Sequence, residues 1–213
     1  MLSRDRVTGR ALEIIDAEGL AACSLPRLAR EFGVKAPSLY HHFADRAEIM
    51  AEVARAIVTE AAVPPPRDPG QWADWLVTLS VNFRRAVLRH PNAAPVLLEH
   101  VPRDVLTARY DDAAEFLGQA GVPASLHVLI LDGLENLTLG AALTQAVKPP
   151  GAQGKIFPQA RVETEPALAR AVGVNPWRTT EKLFAESVRA FLRGCLATAD
   201  DTAVAASAHQ RQG

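Results

Sequence analysis

Apolar residues in this chain recur at the spacing of an α-helix and nowhere at the alternation of a strand, which confines the fold to packed helices. The strongest stripe is Trp72, Trp75, Leu76, Leu79 and Phe83, at i, i+3, i+4, i+7 and i+11. It predicts an amphipathic helix reaching about His90. Asp68-Pro69-Gly70-Gln71 stands before it, a cap followed by a first-turn proline and a glutamine at the capping-box position. Hydrophobic residues make up 48% of the 213 positions but aromatics only 6%. The balance is Ala, Leu and Val, which favours helices over sheets. The fold class is therefore all-α.

The same spacing divides the rest of the chain. Val7, Ala11, Ile14, Ile15 and Glu18 mark a first helix that stops at Gly19, a residue suited to the left-handed turn after a helix. Ser24 is the N-cap of a short helix 25–32, which Gly33-Val34 interrupts, and a second short helix follows at 36–42. Asp45 and Glu48 have capping-box spacing and open a longer helix with Ile49, Val53, Ala56 and Ile57 on one face. Pro64-Pro65-Pro66 breaks it. Residues 1–62 are thus expected to form one domain, including the connecting helix 46–62, and residues 63–198 a second. Within the second, helices are expected at 92–99, 103–119, 123–146, 166–172 and 178–198, with a long loop at 148–165. The tail 199–213 is poor in large apolar residues and is expected to be disordered.

Several function classes are disfavoured. The formal charge is −1, so no bulk positive field announces a nucleic-acid partner. Cys23 and Cys195 are too few for a disulfide framework, and Ser3-Arg4-Asp5-Arg6 opens the chain without an apolar signal region, which points to a cytoplasmic protein with buried thiols. Segment 122–147 has roughly membrane-spanning length, but His127, Asp132, Glu135 and Asn136 lie near its middle. Those groups are costly in hydrocarbon, so a buried helix in water and no membrane partner are expected. His41 and His42 point about 100° apart on a helix and cannot share one ion, and His127 and Asp132 are poorly spaced for shared ligation. Asp132 and Asn136 do share a face. They suit either interior or interface hydrogen bonding or contact with a small molecule. No Ser-His-Asp, HExxH, P-loop or Rossmann pattern is present. Neither a cofactor, a metal nor an enzyme is expected.

The segment before residue 46 reopens the nucleic-acid question. Three helices in so short a stretch, the last two brief and joined through Gly33, have the lengths of a helix-turn-helix. With Leu39 pointing to the core, Ala36 and Phe43 fall within about 60° of it. Pro37 and His41 then face away, with Ser38 and Tyr40 on the flanks. Residues 22–46 set Arg27, Arg30, Lys35 and Arg46 against Glu31 and Asp45, a local excess of +2.

The run from Leu28 to Phe43, followed by Arg46 and a long helix, resembles the TetR/AcrR family of bacterial transcriptional repressors over roughly residues 3–60. Ser38-Leu39-Tyr40 and His42-Phe43 are similar to that family's recognition-helix signature. The resemblance implies that Lys35, Ala36, Pro37, Ser38 and His41 lie at or near base edges. Tyr40 and His42 would meet phosphates, as would Ser24 and Arg27 from the preceding helix, and Arg46 would clamp the DNA backbone. Pro26 and Ala36 stand where longer readers occur in the family, so no operator sequence carries over.

Asn82 to His90 and Leu137 to Gly140 are similar to the regulatory domain of the tetracycline-repressor branch. This implies a ligand site drawn from Trp75, Asn82, Phe83, Leu97, His100, Arg103, Tyr110, His127, Glu135 and Thr138. Ala62, Leu97 and Thr144 replace the polar groups that a magnesium-drug complex would need, so the effector is expected to be largely apolar. Helices 123–146 and 178–198 carry more apolar surface than one chain uses, which suggests a homodimer with a four-helix interface. If the last helix lies there, Leu192→Glu is expected to give monomers. The sequence thus points to a dimeric regulator that binds a palindromic double-stranded operator and is released by a small molecule. A helix-turn-helix regulator without an effector, or an all-helical enzyme using a cavity within 71–198, are the other possibilities.

Overall fold

The computed structural model describes residues 2–65, 68–149, 151–152 and 154–210, with side chains as far as Thr198. All its regular elements are helical: α1 Arg4–Glu18, α2 Leu25–Glu31, α3 Ala36–Tyr40, α4 Arg46–Thr59, α5 Trp72–Arg89, α6 Val96–Glu99, α7 Arg103–Gln119, α8 Ala124–Ala146, α9 Pro166–Val174 and α10 Thr180–Gln210. Short 3-10 turns at Leu20–Ala22 and Pro69–Gln71 join α1 to α2 and lead into α5. α3 stops two residues earlier than its spacing suggested, so His41 and His42 sit in a turn. The last helix, expected to end near 198, is assigned to Gln210, and residues 211–213 of the expected tail lie outside the described residues.

The chain condenses into two compact units, the first comprising Met1–Val63, Asn82–Arg109 and Ala142–Val147. In it α1 packs on α4 and α2 on α3, around Val7, Ile14, Ile15, Leu28, Leu39, Phe43, Ile49 and Val53. A division at residue 62 was expected, yet this unit also takes in the end of α5, all of α6 and the start of α7. Long-range polar bonds supply the physical reason. Arg55 makes a two-pronged pair with Asp104 (2.8 and 3.0 Å), Arg89 pairs with Glu60 (2.9 Å), and Asn82 donates to the Ala62 carbonyl (2.9 Å). His90 lies 2.6 Å from an Asp16 oxygen and 3.1 Å from Glu60.

The second unit comprises Pro64–Val81, Tyr110–Ala141 and Lys148–Gly213. Its core joins Leu76 and Val77 of α5, Leu117 of α7, Leu126, Ile130 and Leu134 of α8, and Phe184, Val188, Leu192 and Cys195 of α10. α8 and α10 approach closely at Gly133, where an added Cβ would fall 2.2 Å from Cζ of Phe191. Leu192 is 1% exposed and belongs to this internal core. A charge there would disrupt the fold of one chain, which corrects its expected use as an interface probe. On α8 and α10, among the described residues, the outward large apolar side chains are instead Val128 (76% exposed), Leu129 (45%) and Leu196 (38%). α8 is long and apolar enough to cross a bilayer, and only 28% of its most apolar window is buried within the chain, less than its expected role as an interior helix implies.

Candidate nucleic-acid interface

The geometry of the head starts from two glycines. At Gly19 φ is +87° and ψ is 165°, and at Gly33 φ is +63°, conformations that side-chain-bearing residues rarely adopt. Gly19 ends α1 with its N–H on the Ile15 carbonyl, and Gly33 turns the chain between α2 and α3, where Val34 N–H reaches back to the Ala29 carbonyl. Ser24 caps α2 by accepting from Arg27 N–H (3.3 Å). α3 has no side-chain cap, and Pro37 in its first turn lacks the N–H that would otherwise need one.

Leu39 is fully buried and Phe43 nearly so, which anchors the α3 turn. Lys35, Pro37, Tyr40 and His41 are exposed, while Ala36, Ser38 and His42 are half-buried. The side chains that the helical angle placed outward therefore do stand at the surface, next to one another. The five-residue link into α4, residues 41–45, is held as a reciprocal cap: Asp45 accepts from Glu48 N–H (2.8 Å), while the Glu48 carboxylate accepts from Ala44 N–H (2.6 Å), one residue before the cap. Those bonds, chiefly the one from Ala44 and then that from Arg4, hold the Glu48 carboxyl below its usual range.

Arg4 is the residue that sequence patterning missed. Its guanidinium pairs with Glu48 (2.7 Å) and Glu52 (3.1 Å), donates to the His42 carbonyl and lies 4.4 Å from the centre of the Phe43 ring. It thus ties α1 to the turn that carries His41 and His42. No local spacing signals a partner so far along the chain. Two expected phosphate contacts also have structural bonds. Arg46 donates to the carbonyls of Cys23 (2.9 Å) and Leu20 (3.0 Å), which braces the turn before α2 while leaving its charge unneutralised by those partners. Arg27 is bound to Glu18 through both terminal nitrogens (2.8 and 2.7 Å) and to Glu31 through Nε (2.8 Å). Cys23 is buried, and desolvation pushes its thiol up, away from the reactive thiolate.

The residues expected at a ligand site fall in both units. In the first, Leu97 is buried, Asn82 is bonded to the main chain as above, Phe83 and His100 are half-buried and Arg103 is exposed. In the second, Tyr110 donates to Glu135 (2.7 Å), and Trp75 donates to the Pro64 carbonyl (2.7 Å) with its ring edge-on to Phe116 at 5.1 Å. Thr138, one turn from Glu135, is buried with no hydrogen-bond partner for its hydroxyl among the described residues. His127 bonds instead to the Val122 carbonyl (3.0 Å), and Asn136 donates to Asp132 (3.0 Å) on the exposed side of α8. Among the described residues no group of three or more His, Cys, Asp or Glu could hold a metal ion.

Comparison with known proteins divides the chain by sequence rather than by the two compact units. Residues 8–53 match the family described as bacterial regulatory proteins, tetR family, and residues 64–199 match the tetracyclin repressor-like C-terminal domain. The chain is 30% identical over 145 residues to the tetracycline repressor protein class C of Escherichia coli, covering 68% of this chain and 66% of that one. It is 24% identical over 203 residues to the class E protein of Escherichia coli, covering 94% and 93%. Among solved structures, that of the TetR family protein ActR from Streptomyces coelicolor in complex with actinorhodin has a TM-score of 0.74 at 28% identity, covering 93% of this chain and 99% of that one.

Proposed function

This chain belongs to the TetR family of bacterial regulatory proteins, DNA-binding transcription regulators with a ligand-binding domain, and we propose that it is a cytoplasmic homodimer that binds a palindromic operator and is released by a small molecule. The observation that carries this is the buried Leu39–Phe43 anchor, which turns Pro37, Tyr40 and His41 outward together. Lys35, Ala36, Pro37, Ser38 and His41 are proposed to meet base edges, and Ser24, Tyr40, His42 and Arg46 to meet phosphates. A modest local positive excess suffices because two heads in register supply affinity that one lacks.

Dimerisation is supported by Val128, Leu129 and Leu196, apolar side chains that one chain leaves in water. The effector would be a largely apolar small molecule; ActR, a TetR family protein of similar fold, was solved with a small molecule, actinorhodin, bound. Trp75 and Phe116 offer it apolar surface, and the Thr138 hydroxyl and the Tyr110–Glu135 pair offer polar anchors. Such a ligand releases DNA only if it binds one head spacing better than another. A coupling of about 1–3 kcal/mol, roughly 5–150-fold in affinity, is the usual scale.

Selection of bound sequences from random duplex DNA, repeated with pooled small molecules, tests the proposal. It predicts inverted half-sites about one helical turn or more apart, and a pool that lowers affinity for the selected duplex. Enrichment without any responsive pool would favour a regulator that lacks an effector. No enrichment at all would refute operator binding.

A further inference from the structure

We propose that Arg30, and not Arg27, is the cation through which α2 holds a DNA phosphate. Both arginines face outward. Leu28 (0% exposed) and Ala29 (4%) define the inward side of α2, and at about 100° per residue Arg27 and Arg30 flank the opposite direction. Their surroundings differ. Arg27 has its whole fork committed to Glu18 and Glu31, and the bonds to those carboxylates, Glu18 first, hold its guanidinium above its ordinary pKa. Glu31 is in turn shared with Arg10 through Nε (3.0 Å) and a second, shorter contact. To reach a phosphate, Arg27 would have to abandon bonds that fasten α2 to α1. It would also leave Glu18 and Glu31 facing a polyanion.

Arg30 carries no such cost. It is exposed, and among the described residues no carboxylate lies within ion-pair distance of it. It borders an open concavity of about 460 Å³ lined by Arg27, Arg30 and Glu31, in which the Glu31 charge is already shared between two other arginines. A helical side chain leans toward the N-terminus and covers the turn before its own Cα. Arg30 therefore extends over the turn of Pro26 and toward Ser24, the residue proposed above to meet phosphate. Arg27 becomes a positioning residue: it holds α2 against α1 and balances Glu18, while Arg30 supplies the free charge.

This assignment stands on the DNA-binding role proposed above, so the test is built to separate the two. Affinity of the full chain for a mixed-sequence duplex of about 30 base pairs is measured across a potassium chloride series. Each neutralised phosphate contributes about 0.9 to the slope of log affinity against log salt. Arg30→Ala is expected to lower the slope by about that amount with the melting temperature unchanged, and Arg30→Lys to restore it. Arg27→Ala is expected to leave the slope as it is while lowering the melting temperature. An unchanged slope for Arg30→Ala, or a reduced one for Arg27→Ala, would overturn the assignment and leave DNA binding intact. A wild-type chain that binds the duplex with no salt dependence would overturn both.

Discussion

The head and α8 dispose of their apolar residues in opposite ways. From Leu28 to Phe43 the large apolar side chains that matter for packing, Leu28, Leu39 and Phe43, turn inward, and most of what faces outward is Lys, Arg, His, Tyr and Pro. Along α8, Leu126, Ile130 and Leu134 also turn inward, but Val128 and Leu129 face out beside Asp132 and Asn136. The head is complete as a folded surface and needs only a polyanion. α8 is complete only when something covers it, because apolar area left in water forfeits about 25 cal/mol per Å². The proposed recognition and assembly surfaces thus use different chemistry on the same kind of helix.

The largest effect should come from confusing the two sides of the α8–α10 layer. Leu192→Glu places a charge in the core of a single chain and should prevent folding, seen as lost helical ellipticity. Val128→Glu with Leu129→Glu should keep the helical signal and halve the mass in sedimentation. A double variant that retains the dimer mass would show that α8 is covered by something else. Gly133→Ala comes next. Its new methyl group meets the Phe191 ring, and an overpacked contact of that kind costs about 1–3 kcal/mol in urea denaturation. Phe191→Leu added to it should recover most of the loss.

The head should show its charge chemistry in acid, with a smaller effect. The Glu48 carboxyl titrates below its ordinary 4.5 in the folded chain, through its bonds to Ala44 N–H and Arg4. A depressed carboxylate contributes stability that is complete above the unfolded value and disappears as pH falls through the folded one. Glu18 and Glu31 are lowered likewise by their arginines. The head should therefore loosen on acidification below the ordinary glutamate range, and Glu48→Gln should blunt that dependence. Hydrogen exchange resolved by segment would detect it, and an identical pH profile in the variant would remove Glu48 as a cause.

Sequence spacing made the head legible because its signals are local: Ser24 and Asp45 as caps, Gly33 as a turn, and Leu39 set against Pro37 and His41. It misplaced the end of α3 by two residues, since His41 and His42 look helical in sequence and only the bonds of the turn decide. The roles of Arg4 and Arg46 were hidden because their partners are distant in the chain. So was the merging of the head with the ends of α5 and α7, which depends on pairs such as Arg55–Asp104. α8 was the least legible element. A helix apolar nearly all round does not reveal which residues its own chain consumes, so Leu192 of α10 was taken for an interface residue and Val128 was not singled out.

The central claim, that two heads held together by outward apolar residues read one operator, is tested most directly by the stoichiometry of the complex. Sedimentation of the full chain with a single duplex recovered from random-sequence selection should give two chains per duplex, and the Val128→Glu, Leu129→Glu variant should bind that duplex at least tenfold more weakly, about 1.4 kcal/mol or more. One wild-type chain per duplex at full affinity, unaffected by that variant, would contradict it.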